Sequence, residues 1–237
     1  YYRIESTADA AYQSRLAKAI DMHFAGRMIN SPNDYDVVIK LIPTKNDNYF
    51  VCMRLCSIQD NRFAYRKNVL PTSMHPSQAA LIVSLAKPYL KETAQIMDPF
   101  CGVGTLLIER AHLVPAREIY ATDTYGDAIT MGRENAEFAK TRINFIHRDF
   151  FDFKHDELIT DMPVRNRQTK AEMELFYERF FDKAAEHLVS GGIIVMYSNE
   201  IGFVKKQIRL RVEYRLLQET CILDKNDFYL FVIRYED

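Results

Sequence analysis

The strongest constraint on the fold is an alternation of short apolar runs with longer segments of helical periodicity, which begins near residue 75. Repeated β-α-β units of this kind predict a parallel sheet with helices on both faces. The last two strand-like runs, 212–223 and 228–236, are joined only by "DKND", so they are expected to pair antiparallel. The pattern predicts an α/β fold with a mostly parallel, seven-stranded sheet that ends in an antiparallel hairpin.

The first sixty residues have a different pattern. A predicted amphipathic helix, 10–24, is followed by two predicted strands, 35–42 and 49–56, which the turn-rich "PTKNDN" joins. A helix and a hairpin are too little for an independent core. We therefore expect residues 1–60 to be the C-terminal part of a small α+β domain and 61–237 to be a second domain. The missing initiator Met predicts that the chain is a fragment of a longer protein.

Composition excludes several classes of protein. No apolar run approaches the roughly 18 residues that a membrane span needs, and the first ten residues lack the features of a secretory signal. The four cysteines form no C-x-x-C pair, so we expect no metal site and a reducing, cytoplasmic location. With 31 basic and 32 acidic side chains, the chain can bind a polyanion only through local patches. No oligomeric state is predicted.

Acidic residues close four successive predicted strands. They are Asp98, Asp123, Asp149 and Asp161. A single Asp in such a place is most simply a turn or cap residue. Four in order favour a binding site, because ligands of open α/β sheets bind outside the carboxyl ends of the strands.

A glycine loop, "CGVG", follows the first of these strands and opens the next helix. Leu107 stands where a dinucleotide fingerprint needs its third glycine, which disfavours an NAD-dependent dehydrogenase. The loop suits a ligand without a pyrophosphate but with a cationic amine, which Asp98 would face. Asp123 could then accept hydrogen bonds from ribose hydroxyls, and Asp149 one from an adenine amine. S-adenosylmethionine has these groups.

The chain resembles a family of RNA methyltransferases at these motifs. "DPFCGVGTLLIERA", "HPSQAALIVSLA", "ATDTYGDAITMGRENA" and "FIHRDFFDF" are similar to motifs of the THUMP-containing, adenosylmethionine-dependent group that methylates guanine N2 in rRNA or tRNA. The resemblance runs from about Arg62 to the end and implies a Rossmann-like class I methyltransferase domain, preceded by a partial THUMP-like segment. It implies cofactor-binding roles for His75, Asp98, Phe100, Cys101, Gly102, Gly104, Thr105, Asp123, Thr124, Asp149 and Phe150.

The fourth motif departs from the family pattern. The family has [DN]-P-P-[YF] or a variant such as N-x-P-[YF], whereas this chain has "DMPV" followed by Arg165. The resemblance implies that Asp161 and Pro163 act at the target amine, whereas Val164 cannot stack on a flipped base. Three interpretations stay open: Arg165 stacks instead; Phe150 or Tyr197 supplies an aromatic ring; or catalysis has weakened and the protein only binds cofactor and RNA.

Basic residues follow this motif in the loop "VRNRQTK". Arg165, Arg167 and Lys170 are predicted to contact RNA phosphates beside the site, although a solvated loop would look the same. The basic stretch "KKQIRLR" is interpreted mainly as a solvated helix face. The predicted activity is methylation of guanine N2 in rRNA or tRNA, with adenine N6 as the alternative, because both targets share the fourth motif.

Overall fold

A computed structural model describes residues 1–7, 10–45, 48–56, 58, 61–149, 154–223 and 227–237. The chain divides into two compact units, Tyr1–Asn61 and Arg62–Asp237. No helix in the described ranges is both long and apolar enough to cross a membrane.

The first unit is a three-stranded sheet with one helix. Its elements are β1 (Tyr2–Ser6), α1 (Ala10–His23), β2 (Val37–Pro43) and β3 (Tyr49–Leu55). The predicted helix and both predicted strands are confirmed, and β2 pairs antiparallel with β3. The sequence interpretation missed β1, which pairs parallel with β2. Tyr2 anchors this strand, since its buried hydroxyl donates to the Ala17 carbonyl at 3.1 Å.

The second unit has an alternating order of strands and helices. After α2 (Pro76–Ala86) come β4 (Gln95–Asp98), α3 (Thr105–Leu113), β5 (Glu118–Asp123), α4 (Gly126–Phe138), β6 (Asn144–His147), β7 (His155–Asp161), α5 (Lys170–His187), β8 (Leu188–Ser198), α6 (Ile201–Leu210), β9 (Tyr214–Leu223) and β10 (Phe228–Tyr235).

These strands form one sheet in the order β6-β5-β4-β7-β8-β10-β9. The pairs from β6 to β8 are parallel, whereas β10 is antiparallel to both β8 and β9. The predicted α/β fold with a terminal hairpin is confirmed. The strand order reverses at β4, with β5 on one side and β7 on the other, and such a switch point is where open sheets bind ligands.

The core lies on both faces of this sheet. Alternate residues of β8 point to opposite faces, so that Val195 packs in the cluster with α2 and α3, and Met196 packs in the cluster with α5 and α6. Both residues are buried, as are Ile82, Leu107 and Phe180 of the flanking helices. The helices thus cover both faces and leave the strand ends accessible.

Two sequence expectations need correction. A Gly-Gly pair such as Gly191 and Gly192 is typical of a turn, but both residues lie within β8. Gly191 has φ +77°, and the β7–β8 register shifts between His155 and Glu157, so the glycines accommodate an irregularity in the strand. The third acidic strand end is also displaced, because β6 ends at His147 and Asp149 lies two residues beyond it.

Candidate active site

A cavity of about 530 Å³ opens at the carboxyl edge of the sheet, beside the β4 switch point. Three segments supply most of its wall: the loop after β4, the end of β7 with its following loop, and the segment before α2. The predicted site residues that line it are Asp98, Phe100, Cys101, Gly102, Thr105, Asp123, Asp161, Pro163, Val164 and Arg165.

Asp98 ends β4 and is buried beneath this cavity, with 1% of its surface exposed. Its Oδ1 accepts hydrogen bonds from the Thr160 hydroxyl at 2.7 Å and from the Phe100 amide at 3.0 Å. Desolvation by burial raises the pKa of Asp98 to about 8, and these two hydrogen bonds only partly offset it. A cationic ligand group would stabilise the charged form, so Asp98 fits an amine better than an anion.

Asp123 holds the glycine loop against β5. One carboxylate oxygen, Oδ2, accepts from the Gly102 amide at 2.9 Å, and the other, Oδ1, accepts from the Tyr125 amide at 2.8 Å. Gly102 has φ +51°, a left-handed conformation that glycine adopts readily. Each carboxylate oxygen can accept a further bond, so Asp123 can hold the loop and a ligand hydroxyl together.

Gly104 has a packing role. Its φ is +78°, and a Cβ added there would lie 2.7 Å from Cζ of Phe145. The next residue, Thr105, is buried in the cavity wall, and its Oγ1 has no hydrogen-bond partner among the described residues. A buried hydroxyl without a partner is costly, so this one is suited to a polar ligand group.

A second cavity of about 610 Å³ adjoins the first and shares Phe100, Asp123 and Pro163 with it. Thr124 and Asp149 line this second cavity, so two more predicted cofactor residues lie on the same edge of the sheet. Phe150, which was predicted to bind the cofactor or to stack on the base, lies outside the described residues.

Asp161 ends β7 on the opposite side of the first cavity from β5. Desolvation by burial raises the pKa of Asp161 to about 7. The backbone of the following residue is anchored, because the Met162 amide donates to the Tyr197 carbonyl at 2.9 Å. The loop that carries the fourth motif therefore leaves the sheet from a fixed point.

Of the three proposed substitutes for the missing aromatic residue, Arg165 lines the cavity. Tyr197 does not, and this corrects the sequence interpretation: its ring is buried and stacks on Phe228 at a centroid distance of 4.8 Å. Val164 lines the cavity and is 51% exposed.

His75 caps α2. Its Nδ1 accepts from the Ser77 amide at 3.3 Å, and it lines neither cavity. Arg167 and Lys170 are exposed but also lie outside both cavity walls. The basic face of α6 is neutralised by ion pairs such as Lys205–Glu219 at 2.8 Å, which supports its interpretation as a solvated face.

Sequence reasoning missed one wall of the first cavity. It consists of Leu70, Thr72, Ser73 and Met74, which precede α2. This segment contains no glycine and no charged residue, so its sequence did not indicate a binding role. It directly precedes the "HPSQAALIVSLA" motif.

Strand order, glycine loop and acidic strand ends together define a class I methyltransferase fold. Residues 64–220 match the UPF0020 family, described as RMKL-like, methyltransferase domain. The chain belongs to this family, and its second unit has the fold of a class I methyltransferase domain.

Three similar proteins carry more specific names. A tRNA (guanine(10)-N2)-dimethyltransferase from Methanothermobacter thermautotrophicus is 30% identical over 187 residues, which cover 72% of this chain and 54% of the relative. A release factor glutamine methyltransferase from Lactococcus lactis is 25% identical, covering 56% of each chain. TrmN from Thermus thermophilus has a TM-score of 0.75 at 19% identity, covering 99% of this chain and 72% of that one. The chain spans about half the length of the curated relatives.

Proposed function

We propose that this protein transfers a methyl group from S-adenosylmethionine to guanine N2 of a structured RNA, with tRNA as the preferred substrate. The observation that carries the proposal is that Asp98 and Asp161, from different strands, line one cavity. One carboxyl suits a cationic amine of the cofactor, and the other suits a base amine. The guanine-N2 enzyme among the relatives supports this target.

The residues of the two cavities fit the cofactor. When bound, adenosylmethionine supplies a methyl group activated by a sulfonium. Asp98 would pair with its amine, Asp123 with the ribose hydroxyls, and Thr124 and Asp149 would flank the adenine. The Thr105 hydroxyl, which has no hydrogen-bond partner within the described part of the chain, offers a further polar contact.

Asp161 would act on the target base. The lone pair of an exocyclic base amine is delocalised into the ring, which makes the amine a poor nucleophile. As a carboxylate, Asp161 accepts a hydrogen bond from the amine and so favours the form in which the lone pair is available. Its pKa of about 7 means that the accepting form increases through neutral pH.

The RNA itself would be held by local charge. Arg167 and Lys170 are exposed in the loop and helix start that follow β7, where they can contact phosphates, and Arg165 lines the cavity itself, where it can contact the RNA at the target nucleotide. We propose that the first unit, which we interpret as THUMP-like, adds RNA contacts and that the protein works in the cytoplasm.

Cofactor binding and transfer test this proposal in turn. Calorimetry should detect adenosylmethionine binding to the intact chain and a much weaker binding to Asp98→Ala. Transfer of labelled methyl to unmodified tRNA should then be lost in Asp161→Ala, while cofactor binding is kept. Absence of cofactor binding by the intact chain would exclude the proposal. Cofactor binding without transfer would identify a protein that binds the cofactor but does not methylate tRNA.

A further inference from the structure

Glu200 approaches the fourth motif from a different loop. It is the N-cap residue of α6, yet its side chain makes no capping hydrogen bond. Instead, Oε1 lies 3.7 Å from Nε of Arg165, and the Glu200 side chain is 19% exposed whereas that of Arg165 is 45% exposed. The carboxylate is therefore the more buried partner of the pair.

The backbone of Glu200 is held by a buried polar pair. Its amide donates to the Ser198 hydroxyl at 3.0 Å, and that hydroxyl shares a 2.6 Å hydrogen bond with the Tyr177 hydroxyl of α5. Its carbonyl accepts from the Phe203 amide at 3.0 Å in the first turn of α6. Glu200 is thus attached to β8, α5 and α6 and is a well-defined point from which to orient a neighbour.

Arg165 needs such orientation if it is to contact a base. Its long side chain has many rotamers, and every one that it loses on binding costs free energy. A guanidinium can stack on a base through its flat face. A carboxylate that approaches Nε from the side, in the guanidinium plane, leaves the flat faces for stacking.

We infer that Glu200 is a positioning residue that holds the Arg165 guanidinium at the cavity as the stacking surface for the target base. The pair would replace the aromatic residue that relatives have at the place of Val164. This inference rests on the proposed function and adds to it the means by which the base is held. Exposed ion pairs often contribute little, so the test must separate positioning from a merely local contact.

Steady-state methyl transfer to unmodified tRNA provides the first test. Arg165→Lys keeps the charge but loses the plane, and it should lower kcat/KM for RNA roughly 5- to 100-fold, the range of a lost base stack. Glu200→Gln should lower it about 2- to 5-fold. Both should leave the KM for adenosylmethionine unchanged. Glu219→Gln, at the Lys205–Glu219 pair away from the cavity, is the matched control and should have no effect.

Restoring the aromatic residue gives the discriminating result. In a Val164→Tyr background, Glu200→Gln should cause no further loss, because the ring replaces the guanidinium. The inference is wrong if Glu200→Gln has the same kcat/KM for RNA as the unsubstituted protein. It is also wrong if Glu200→Gln lowers kcat/KM as much in the Val164→Tyr background as it does alone.

A binding measurement separates this inference from the proposed function. Ligand-observed NMR can measure the binding of guanosine monophosphate to protein saturated with S-adenosylhomocysteine. This measurement does not require methyl transfer. Weaker binding in Arg165→Lys and Glu200→Gln, with recovery in Val164→Tyr/Glu200→Gln, supports the positioning role even if no RNA is methylated. Transfer by the unsubstituted chain with unchanged nucleotide binding in all variants would overturn the positioning role alone.

Discussion

Asp161 is a partly buried carboxyl at the cavity wall, and its protonation decides whether it can accept a hydrogen bond from a base amine. Burial raises its pKa to about 7, so the accepting carboxylate form is depleted below that pH. We expect the rate of methyl transfer to rise as pH increases through about 7. Asp161→Asn keeps an accepting oxygen without a titration and should remove this pH dependence, while Asp161→Ala should lower kcat roughly 100-fold or more.

The measurement is kcat/KM for RNA between about pH 6 and about pH 8 at saturating cofactor. Asp161→Asn also serves as the control for a general loss of activity, because the family motif has either Asp or Asn at this position. A pH profile that is the same in the unsubstituted protein and in Asp161→Asn would show that another group titrates.

Asp98 should link cofactor binding to proton release. Its pKa is raised to about 8 by burial, so at neutral pH the cofactor-free carboxyl is mostly protonated, whereas pairing with an ammonium requires the charged form. Affinity for adenosylmethionine should therefore rise between about pH 6 and about pH 8. Asp98→Asn should weaken binding roughly 10- to 100-fold, the scale of a hydrogen bond to a charged group.

Calorimetry in two buffers of different ionisation enthalpy measures the released proton. Asp98→Asn should release none. The raised pKa of Asp98 has the opposite effect on the stability of the cofactor-free protein. The folded form keeps a proton that the unfolded chain loses, so the contribution of Asp98 to the free energy of unfolding falls as pH rises from about 4 to about 8. Binding without proton release in the unsubstituted chain would contradict the role of Asp98.

Part of the site could be predicted residue by residue. The sequence allowed us to predict Asp98, Asp123 and Asp161, because each of them ends an apolar run and a parallel sheet brings such strand ends together. Glu200 and the wall before α2 could not be predicted, because their place depends on how separate loops fold over the cavity. Tyr197 was proposed for its ring, but its neighbour Phe228 belongs to the antiparallel β10, a contact that no local pattern reveals.

The backbone conformation at the start of α3 depends on Gly104, the N-cap residue of this helix. Substitution by Ala would impose a strained φ of +78° and place Cβ 2.7 Å from the Phe145 ring. We expect Gly104→Ala to lower the free energy of unfolding by about 1–3 kcal/mol and to weaken cofactor binding. Urea unfolding and calorimetry would measure the two effects.

Gly202→Ala is the matched control for Gly104→Ala. Gly202 lies within α6, and a Cβ there would meet nothing within 4 Å. Gly202→Ala should therefore raise stability by roughly 0.4–1 kcal/mol. Phe145→Leu should partly relieve Gly104→Ala. An unaltered stability in Gly104→Ala would mean that the ring and loop adjust freely.

Helices and most strands were predictable as elements because their apolar periodicity is local. The exceptions arise from long-range pairing. Strand β1 pairs with a partner some 35 residues later in the chain, Tyr2 with Val37. Gly191 and Gly192 resemble a turn, but β7 pairs with Leu188 before them and with Ile193 after them, which keeps both within the strand. In both places a partner that is distant in sequence overrides the local preference.

At the scale of the whole sheet, a buried ion pair joins α3 to β7 away from the cavity. Arg110 and Glu157 are buried, with Nη2 2.8 Å from Oε2, and Arg110 also donates to the Lys91 and Val114 carbonyls. Burial raises the pKa of Glu157, although Arg110 opposes the shift. Glu157→Gln leaves an uncompensated buried charge and should lower the free energy of unfolding by about 3–5 kcal/mol.

Urea unfolding of the whole chain measures this cost. The exposed Lys183–Glu186 pair provides the comparison, and Glu186→Gln should change little. Because Glu157 does not line either cavity, cofactor affinity of the folded Glu157→Gln protein should be unchanged. Equal effects of the two substitutions would show that burial does not make the Arg110 pair special.

The proposed reaction places the methyl group on one atom, the exocyclic N2 of guanine. Unmodified tRNA is incubated with the protein and isotopically labelled adenosylmethionine, digested to nucleosides and analysed by mass spectrometry against N2-methylguanosine and N6-methyladenosine standards. We predict that the label appears in N2-methylguanosine and is absent from Asp161→Ala reactions. Label in N6-methyladenosine, or no labelled nucleoside while cofactor binding is intact, would contradict methyl transfer to guanine N2 by this protein.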